Sequence, residues 1–405
     1  MTAHSAPSDR PVAVVVAMDC ITGLQTARIL ADRGVPVVGV VSDRDHFCSQ
    51  TRVVRRIAVS PTSGEALVVN LERLAGSLGP TRVLIPCSDA AVLAISRWRD
   101  RLETAGYRFV LPDHEVVERL MDKVGFAEYA TEAGLPIPVT RVLRSRDDAV
   151  AAAAAMPLPA VVKPALKTAA WTAATKAKAF RIDDGPALVA AWDRWSAAAD
   201  VMIAQSWIDG DESSLISVNA YADRAGEIRV LFTARKLRQW PPETGTSSLG
   251  EEIRDDVVRD VAVRLLKDVG YRGLAYVEMK RDRRTGEALI VEPNVGRPTG
   301  RSAIAERGGV ELILSAYLDA LGEPLPEATE QTYRGVKWIY WRHDLQAALV
   351  AMSQGRLTPL GWWRSVRGPR WEAVWDPRDP RPFAADLLNT AGAAVGMIRR
   401  RLARG

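Results

Sequence analysis

Two glutamates, each within a short apolar segment, are the residues of this chain best suited to chemistry. The two segments are Leu274–Lys280 and Ala288–Asn294. Glu278 and Glu292 are symmetric in sequence about Thr285, so a hairpin with an odd-numbered loop places one glutamate directly opposite the other. Because strand side chains alternate between two faces, Asn294 then shares the face of Glu292.

A pair of facing carboxylates needs a counter-charge, because like charges directly opposite each other destabilise a sheet. A divalent cation between them reverses that penalty. Two carboxylates and one amide oxygen, with further positions open for phosphate, suit Mg2+. The alternative is that Glu278 and Glu292 are ordinary exposed carboxylates balanced by Arg301 or Lys280. The hairpin by itself leaves both interpretations open.

The elements that must position this hairpin begin with an alternation of strands and helices. The predicted strands are Val12–Ala17, Val37–Val41, Val83–Pro86 and Arg108–Leu111, and the predicted helices are Thr22–Asp32 and Ala90–Leu102. Such alternation predicts a doubly wound, mostly parallel α/β domain over residues 11–112. We expect residues 1–10, which are polar, to be disordered.

Three further regions are predicted after this domain. Residues 113–200 contain a linking helix, Val116–Ala133, then strands Ala160–Lys163, Lys178–Ile182 and Val201–Gln205 around helix Pro186–Ala199. Residues 201–330 hold longer alternating strands, helices Glu251–Val269 and Gly309–Leu321, and the acidic hairpin, which indicates an α+β region. Residues 331–405 form a Trp-rich extension that ends in a basic amphipathic helix, Ala384–Arg404.

Composition limits the function classes. The chain has 405 residues, of which 47% are hydrophobic and 25% charged, as in ordinary soluble globular proteins. A net charge of +5 that is spread along the chain suits an anionic small molecule better than a nucleic acid. No apolar run is long enough to span a bilayer. The three cysteines and four histidines are scattered and have no metal-ligand spacing. Because the cysteines cannot form a disulfide framework, a reducing cytosol is the expected compartment.

The surroundings of the hairpin resemble the ATP-grasp superfamily. The motifs that carry the resemblance are Asp122-Lys123 at a helix start, Val161-Val162-Lys163-Pro164 at a strand end, residues 205–210 (Gln-Ser-Trp-Ile-Asp-Gly) with Glu212, and the hairpin itself. In this superfamily two lysines clamp the nucleotide phosphates, a hinge holds the adenine, and acidic residues with an asparagine hold magnesium. The resemblance covers roughly residues 12–322, because a doubly wound domain commonly precedes the ATP-grasp part.

The resemblance implies a role for each matched residue. Lys123 and Lys163 would bind phosphate, Ser206, Trp207 and Ile208 with Gln205 would hold the adenine, Glu212 would bond the ribose, and Glu278, Glu292 and Asn294 would bind Mg2+. A lysine at the end of an apolar strand also suits phosphate on physical grounds, because open α/β sheets bind ligands at that edge. The alternative for Lys163 alone is a solvated strand-end lysine.

Two departures from the superfamily pattern affect the predicted site. The segment 165–178, where a glycine-rich flap is usual, contains no glycine, so we expect Lys167, Lys176 or Lys178 to reach the phosphates by side chain. A basic surface loop is the alternative. The arginine that many members place two residues after the asparagine is here Arg297, three residues after it, with Arg301 close by. Either can stabilise an acyl phosphate, and Arg297 is the preferred candidate.

Residues 235–248 follow a predicted strand and begin with a concentrated Arg/Lys cluster. Lys236 and its neighbours can orient a carboxylate substrate, and the alternative is a charged surface bend. Together with Val-Gly-Arg after Asn294, this segment resembles uncharacterised carboxylate-amine ligases of the superfamily. Ser88 and Asp89 are predicted either to contact the acceptor or to cap a helix.

The sequence therefore predicts a ligase that uses ATP and Mg2+ to join a small-molecule carboxylate to an amine through an acyl phosphate. The alternative is an ATP-binding sensor or scaffold with a degenerate site, which the glycine-free flap favours. A nicotinamide oxidoreductase lacks its glycine fingerprint. The basic C-terminal helix allows association with an anionic inner-membrane surface. A homodimer is also compatible with the sequence, and no nucleic-acid partner is expected.

Overall fold

The computed structural model describes residues 10–242 and 245–390, which form three sheets with helices around them. The first sheet is wholly parallel, in the order β3-β2-β1-β4-β5. Its elements are β1 (Val12–Val16), α1 (Ile21–Asp32), β2 (Val37–Val41), β3 (Arg56–Val59), α2 (Gly64–Ala75), β4 (Arg82–Pro86), α3 (Asp89–Arg97), α4 (Arg99–Thr104) and β5 (Tyr107–Arg108). The predicted doubly wound domain is present, and its central strands are buried on both faces, as parallel strands covered by helices must be.

A four-stranded antiparallel sheet follows, in the order β6-β9-β7-β8. It is reached through α5 (His114–Met121) and α6 (Lys123–Glu132), and consists of β6 (Thr140–Leu143), α7 (Arg146–Ala155), β7 (Ala160–Pro164), α8 (Ala169–Ala174), β8 (Phe180–Ile182), α9 (Gly185–Trp195) and β9 (Met202–Ser206). The linking helical segment predicted over 116–133 consists of two helices, and the second begins at Lys123, where the sequence predicted a helix start. The chain breaks at Asp122, whose extended backbone and carboxylate cap α6 by accepting from the Gly125 amide at 2.6 Å.

The third sheet has seven strands in the order β14-β13-β10-β11-β12-β15-β16. Its elements are β10 (Leu215–Ala222), β11 (Ile228–Trp240), β12 (Thr246–Glu252), α10 (Asp256–Asp268), β13 (Gly273–Arg281), β14 (Ala288–Val295), α11 (Ser302–Arg307), α12 (Leu312–Leu321), β15 (Lys337–Ile339), α13 (Trp341–Ser353), α14 (Pro359–Val366) and β16 (Arg370–Glu372). Strand β11 extends through residues 235–240, for which a surface bend was the alternative to a substrate-orienting cluster.

The Trp-rich extension is part of this third sheet. Strand β15 pairs antiparallel with β12, and β16 pairs parallel with β15. Residues 381–390 are helical, and the remainder of the predicted basic helix lies outside the described residues. Within residues 10–242 and 245–390, no helix combines the length and the apolar character needed to cross a bilayer.

One buried ion pair ties the extension to the first domain. The Arg28 guanidinium on α1 donates to the Asp379 carboxylate at 2.9 and 3.0 Å and to the Val374 carbonyl at 2.9 Å. Arg28 is 2% exposed and Asp379 is 1% exposed. Asp379 also accepts from the Thr51 hydroxyl at 2.5 Å and from the Arg52 amide at 3.0 Å. The two ends of the described chain are thereby held together.

We predict that Asp379→Ala destabilises the protein by about 3–5 kcal/mol, because it leaves the Arg28 charge buried without a carboxylate. Urea unfolding followed by circular dichroism measures the change. The double variant Arg28→Met/Asp379→Leu is the matched control, because it removes both charges and should recover most of the loss. A double variant as unstable as Asp379→Ala would show that packing, not the uncompensated charge, carries the effect.

Candidate active site

The acidic hairpin is formed as predicted in its pairing but not in its turn. Strand β13 pairs with β14 so that Glu278 lies opposite Glu292, as the sequence indicated. Nearer the turn, however, Met279 pairs with Ile290, so the odd-numbered loop is wrong. Val291 is the extra residue of a β-bulge, and this one-residue shift places the two glutamates opposite each other.

Glu278 is neutralised on one side by three donors. Its Oε2 atom accepts from Arg301 Nη2 at 2.5 Å and from the Tyr276 hydroxyl at 2.9 Å, and Lys236 Nζ lies 3.6 Å away. Arg301 also lies over the Tyr276 ring, 4.7 Å from its centroid. Burial lowers the pKa of Arg301 to about 9, which leaves the guanidinium charged at neutral pH. The balancing role suggested for Arg301 is therefore present, whereas Lys280 instead donates to the Ile208 carbonyl at 2.8 Å.

Glu292 faces two lysines across the cleft between the second and third sheets. Glu292 is exposed along β14, yet partial desolvation by the surrounding protein, and then the charge of Glu278, raises its pKa, while Lys163 and Lys123 oppose that rise. Burial lowers the pKa of Lys163, which the charge of Glu292 partly restores. Lys123 Nζ donates to the Ala165 carbonyl at 3.1 Å, just past the end of β7. The two lysines named for phosphate are thus brought together beside the predicted metal ligand.

Asn294 and Arg297 link the hairpin to the first domain. Arg297 Nη2 donates to Asn294 Oδ1 at 2.7 Å, and Arg297 Nε donates to Asp89 Oδ1 at 2.5 Å. Ser88, not Asp89, supplies the side-chain cap of α3 by accepting from the Ala91 amide. Arg297 therefore orients a predicted metal ligand, while Arg301 bonds Glu278 directly.

The predicted adenine hinge lies at the end of β9 and lines the cleft through Gln205, Ser206, Trp207 and Ile208. The backbone amides of Ser206 and Trp207 already donate to the carbonyls of Val139 and Pro159, at 2.9 and 2.8 Å. Both of these amides are therefore already used in hydrogen bonds within the fold. Of the three backbone amides predicted to contact adenine, that of Ile208 stays the predicted donor.

Two other residues of the predicted nucleotide site are placed differently from each other. Lys178 lines the cleft. Glu212, predicted for the ribose, accepts from the Gln239 amide at 3.0 Å and is not among the described residues that line the cleft. A ribose contact from Glu212 stays a prediction.

The glycine-free flap is a short helix anchored by an aromatic side chain. In α8 the fully buried Trp171 donates its indole N–H to the Ala177 carbonyl at 3.0 Å and packs against Phe180 and Trp195. Lys167 and Lys176 are exposed and do not line the described cleft, in contrast to Lys178. This segment is therefore held by the packing of Trp171, in contrast to the glycine-rich flap that is usual at this position.

The Arg/Lys cluster at the start of residues 235–248 divides between structural and cleft roles. Arg238 is buried in an ion pair with Asp344 of the extension, at 2.8 and 3.0 Å, and Arg235 pairs with Glu251. Lys236 is the member that lines the cleft, and burial lowers its pKa while the charge of Glu278 raises it. Strand alternation would place Lys236 and Arg238 on one face, but the register shift between them in β11 separates the two cations, and they have different partners.

These residues surround a cleft of about 940 Å3. The extension adds Trp338, Tyr340 and His343 to its wall. Burial, and then the charge of Arg342, lowers the pKa of His343 to about 4, so its imidazole is neutral at pH 7. Sequence reasoning noticed the tryptophans but gave these three residues no site role. Tyr276 was also missed, although its position two residues before Glu278 on one strand places both side chains on one face.

The donor set fits magnesium held together with phosphate. No group of three or more His, Cys, Asp and Glu side chains is placed to hold a metal in the part of the chain that the structure describes. Mg2+ does not need one, because it is commonly bound by one or two carboxylates with substrate phosphates and water. The contacts that Glu278 makes with Arg301, Tyr276 and Lys236 all involve its Oε2 atom. Glu292 and Asn294 line the same cleft as Glu278. These three side chains are the ones that would hold Mg2+.

The fold that holds this cleft is the ATP-grasp fold, as the sequence resemblance predicted. Solved structures with this fold include the biotin carboxylase domain of the Hydrogenobacter thermophilus 2-oxoglutarate carboxylase (15% identity, TM-score 0.60, 78% of this chain and 71% of that one). The Staphylococcus aureus N5-carboxyaminoimidazole synthetase complexed with ADP is also similar (13% identity, TM-score 0.62, 80% and 81% covered). At such identities the likeness concerns the fold alone.

One curated relative is similar in sequence. The D-aspartate ligase of Enterococcus faecium is 26% identical over 272 residues, which are 64% of this chain and 63% of that ligase. The match spans less than two thirds of the relative's length. No family model matches the chain.

We predict that Tyr276→Phe costs about 1.5–3 kcal/mol of unfolding free energy, because it removes a hydrogen bond to the charged Glu278. Urea unfolding near pH 7 measures it. Tyr317→Phe is the matched control, because that buried hydroxyl donates to a neutral acceptor, the Pro11 carbonyl, at 2.6 Å, and its loss should cost only about 0.5–1.5 kcal/mol. Equal costs for both variants would contradict the charged acceptor assigned to Tyr276.

Proposed function

We propose that this chain is an ATP-dependent ligase that joins a carboxylate to an amine. The observation that carries the proposal is the balance of charge in the cleft. Glu278 and Glu292 share the lining of the cleft with a larger number of cationic side chains, which include Lys163, Lys178, Lys236, Arg297 and Arg301. A surplus of positive charge around two metal-type carboxylates suits a polyphosphate bound with a divalent cation.

The comparisons support the same chemistry. The name of the D-aspartate ligase gives its carboxylate substrate, and the Staphylococcus aureus synthetase was solved with ADP. An ATP-grasp fold, a cleft with these residue types and a ligase relative agree on a reaction driven by ATP. An amino dicarboxylic acid is the substrate class that this relative favours.

The reaction proposed has two steps that balance. An oxygen of the substrate carboxylate forms a bond to the γ-phosphorus of ATP, and the bond from that phosphorus to the β,γ-bridging oxygen breaks, so that ADP leaves with the electron pair. The nitrogen of the amine then attacks the carbonyl carbon of the acyl phosphate. Inorganic phosphate leaves, the nitrogen loses a proton, and an amide results.

The chain's residues act mainly by position and charge. Lys163, with Lys123 beside it, would hold phosphate oxygens, and Glu278, Glu292 and Asn294 would hold Mg2+. When bound, Mg2+ neutralises charge that develops on the phosphate oxygens. Arg301 and Lys236 stand on the substrate side of Glu278, where they would orient the carboxylate. This division of labour needs no nucleophilic side chain.

Two further predictions concern a homodimer of this chain and its association with a membrane surface. The biotin carboxylase domain of Hydrogenobacter thermophilus was solved as a dimer, and a homodimer of this chain stays a prediction. Membrane association depends on a predicted helix of which residues 391–405 lie outside the described part, so it also stays a prediction.

Loss of the Glu292 charge is expected to affect catalysis. Glu292→Gln should lower carboxylate-dependent ADP release at least a hundredfold, because a metal ligand loses its charge, while the fold is kept. A coupled ADP assay with D-aspartate, L-aspartate or succinate and an amine panel measures this. Glu287→Gln is the control, since Glu287 is an exposed turn residue of the same hairpin.

Full turnover by Glu292→Gln would overturn the metal-ligand assignment. ATP binding by the wild-type protein without ADP release, under every carboxylate and amine tested, would favour the sensor alternative instead.

Loss of the Lys163 charge is expected to affect nucleotide binding. Lys163→Met should raise the Kd for MgATP about ten- to a hundredfold, since hydrogen bonds to charged groups contribute about 1.5–3 kcal/mol. Isothermal titration calorimetry measures the affinity. Lys267→Met, an exposed lysine on α10, is the matched control and should bind like the wild type. Unchanged affinity in Lys163→Met would remove Lys163 from the phosphate site.

A further inference from the structure

Two buried N–H donors on the cleft wall lack an acceptor. Arg301 Nη1 and Trp338 Nε1 are both inaccessible to solvent, and neither has a hydrogen-bond partner within residues 10–242 and 245–390. The residues are 6% and 3% exposed, and both line the cleft. Leaving a buried donor unpaired costs about 1–3 kcal/mol, so two of them on one wall indicate a ligand.

The sheet places these two side chains next to each other. Trp338 on β15 lies directly opposite Gly250 on β12, and directly opposite residues share a face of the sheet. The Cβ position of Gly250 lies 3.6 Å from Arg301 Cδ, so Arg301 covers that same face. The Cβ position of Gly300 lies 3.4 Å from Trp338 Cζ2. Two glycines therefore make room for Arg301 and Trp338 to converge.

The charge of this part of the cleft suits a monoanion. Arg301 and Lys236 carry two positive charges and Glu278 carries one negative charge, so the cluster has one positive charge in excess. Phosphate oxygens are expected at Lys163, on the opposite side of the hairpin pair. A guanidinium edge beside an indole N–H presents separate donors to the two oxygens of a planar carboxylate.

We propose that Arg301 Nη1 and Trp338 Nε1 bind the carboxylate substrate, so that the Trp-rich extension supplies half of the specificity site. This inference rests on the proposed ligase function. It gives the extension a purpose, because β15 brings Trp338 to the wall of the cleft. The ion pair of Arg28 with Asp379 and that of Arg238 with Asp344 hold the extension in this position.

The kinetic test uses Trp338→Phe, which keeps an aromatic ring and removes the N–H. We expect KM for the carboxylate probe to rise about ten- to a hundredfold, the loss of one hydrogen bond to a charged group, with a smaller change in kcat and none in KM for ATP. The probes are D-aspartate, L-aspartate and succinate. Trp375→Phe is the matched control, because Trp375 lies in the same extension, is 41% exposed and does not line the cleft.

A second measurement needs no turnover. Full-length protein labelled with 15N at tryptophan gives indole N–H resonances, and the one absent from Trp338→Phe belongs to Trp338. Without ATP, titration of the same three probes should move this resonance to saturation and leave that of Trp375 in place. Thermal unfolding of both variants checks that each is folded.

The outcomes separate the two proposals. Carboxylate-dependent ADP release with equal KM in Trp338→Phe and the wild type would overturn the subsite while the ligase function stands. A shifted Trp338 resonance without ADP release under any condition would support the subsite and overturn the ligase function. Neither a shift nor ADP release would overturn both.

Discussion

The organisation of this molecule depends on keeping two carboxylates opposite each other on one sheet. Glu278 and Glu292 repel, and partial desolvation adds to the cost of the Glu292 charge, as the raised pKa of Glu292 shows. The structure offsets this cost unevenly. Arg301 and Tyr276 donate to Oε2 of Glu278 and Lys236 lies close to the same atom, whereas the charges of Lys163 and Lys123 act on Glu292. Glu278 is therefore held by direct contacts, and Glu292 lies exposed along β14. Strained electrostatics of this kind concentrate at functional sites.

Everything around the pair serves to close the cleft from three sides. The second sheet brings Lys163 across from Glu292, the first domain brings Asp89 to Arg297, and the extension brings aromatic side chains to the far wall. The buried pair of Arg28 and Asp379 joins the extension to the first domain. The extension is thus a structural part of the cleft, although the sequence presents it as an appendage.

The predicted parts and the missed parts differ in how local their causes are. The pairing of Glu278 with Glu292 was predicted from a local feature, the symmetry of the hairpin about Thr285, yet the turn assumed for it was wrong, and the bulge at Val291 brings the two residues opposite each other. The Arg/Lys cluster failed for the opposite reason. Arg238 looked like a substrate ligand until Asp344, more than a hundred residues away, was found to neutralise it. The backbone amides of Ser206 and Trp207, which were predicted to contact adenine, likewise donate to carbonyls of residues that are distant in sequence.

The sequence by itself determined the alternation of strands and helices in the first domain, the order of the motifs and the residue types of the site, because hydrophobic periodicity and strand alternation act over a few residues. It also determined that a cation and a polyanion suit the hairpin, since charge is a property of residue type. Only the tertiary structure decided which cations face the cleft and which are spent on ion pairs. It alone placed Trp338 beside Arg301, because that placement depends on how β15 pairs with β12, a strand that lies far earlier in the chain. Contacts between residues far apart in sequence are set by the packing of whole elements, and no local pattern encodes them.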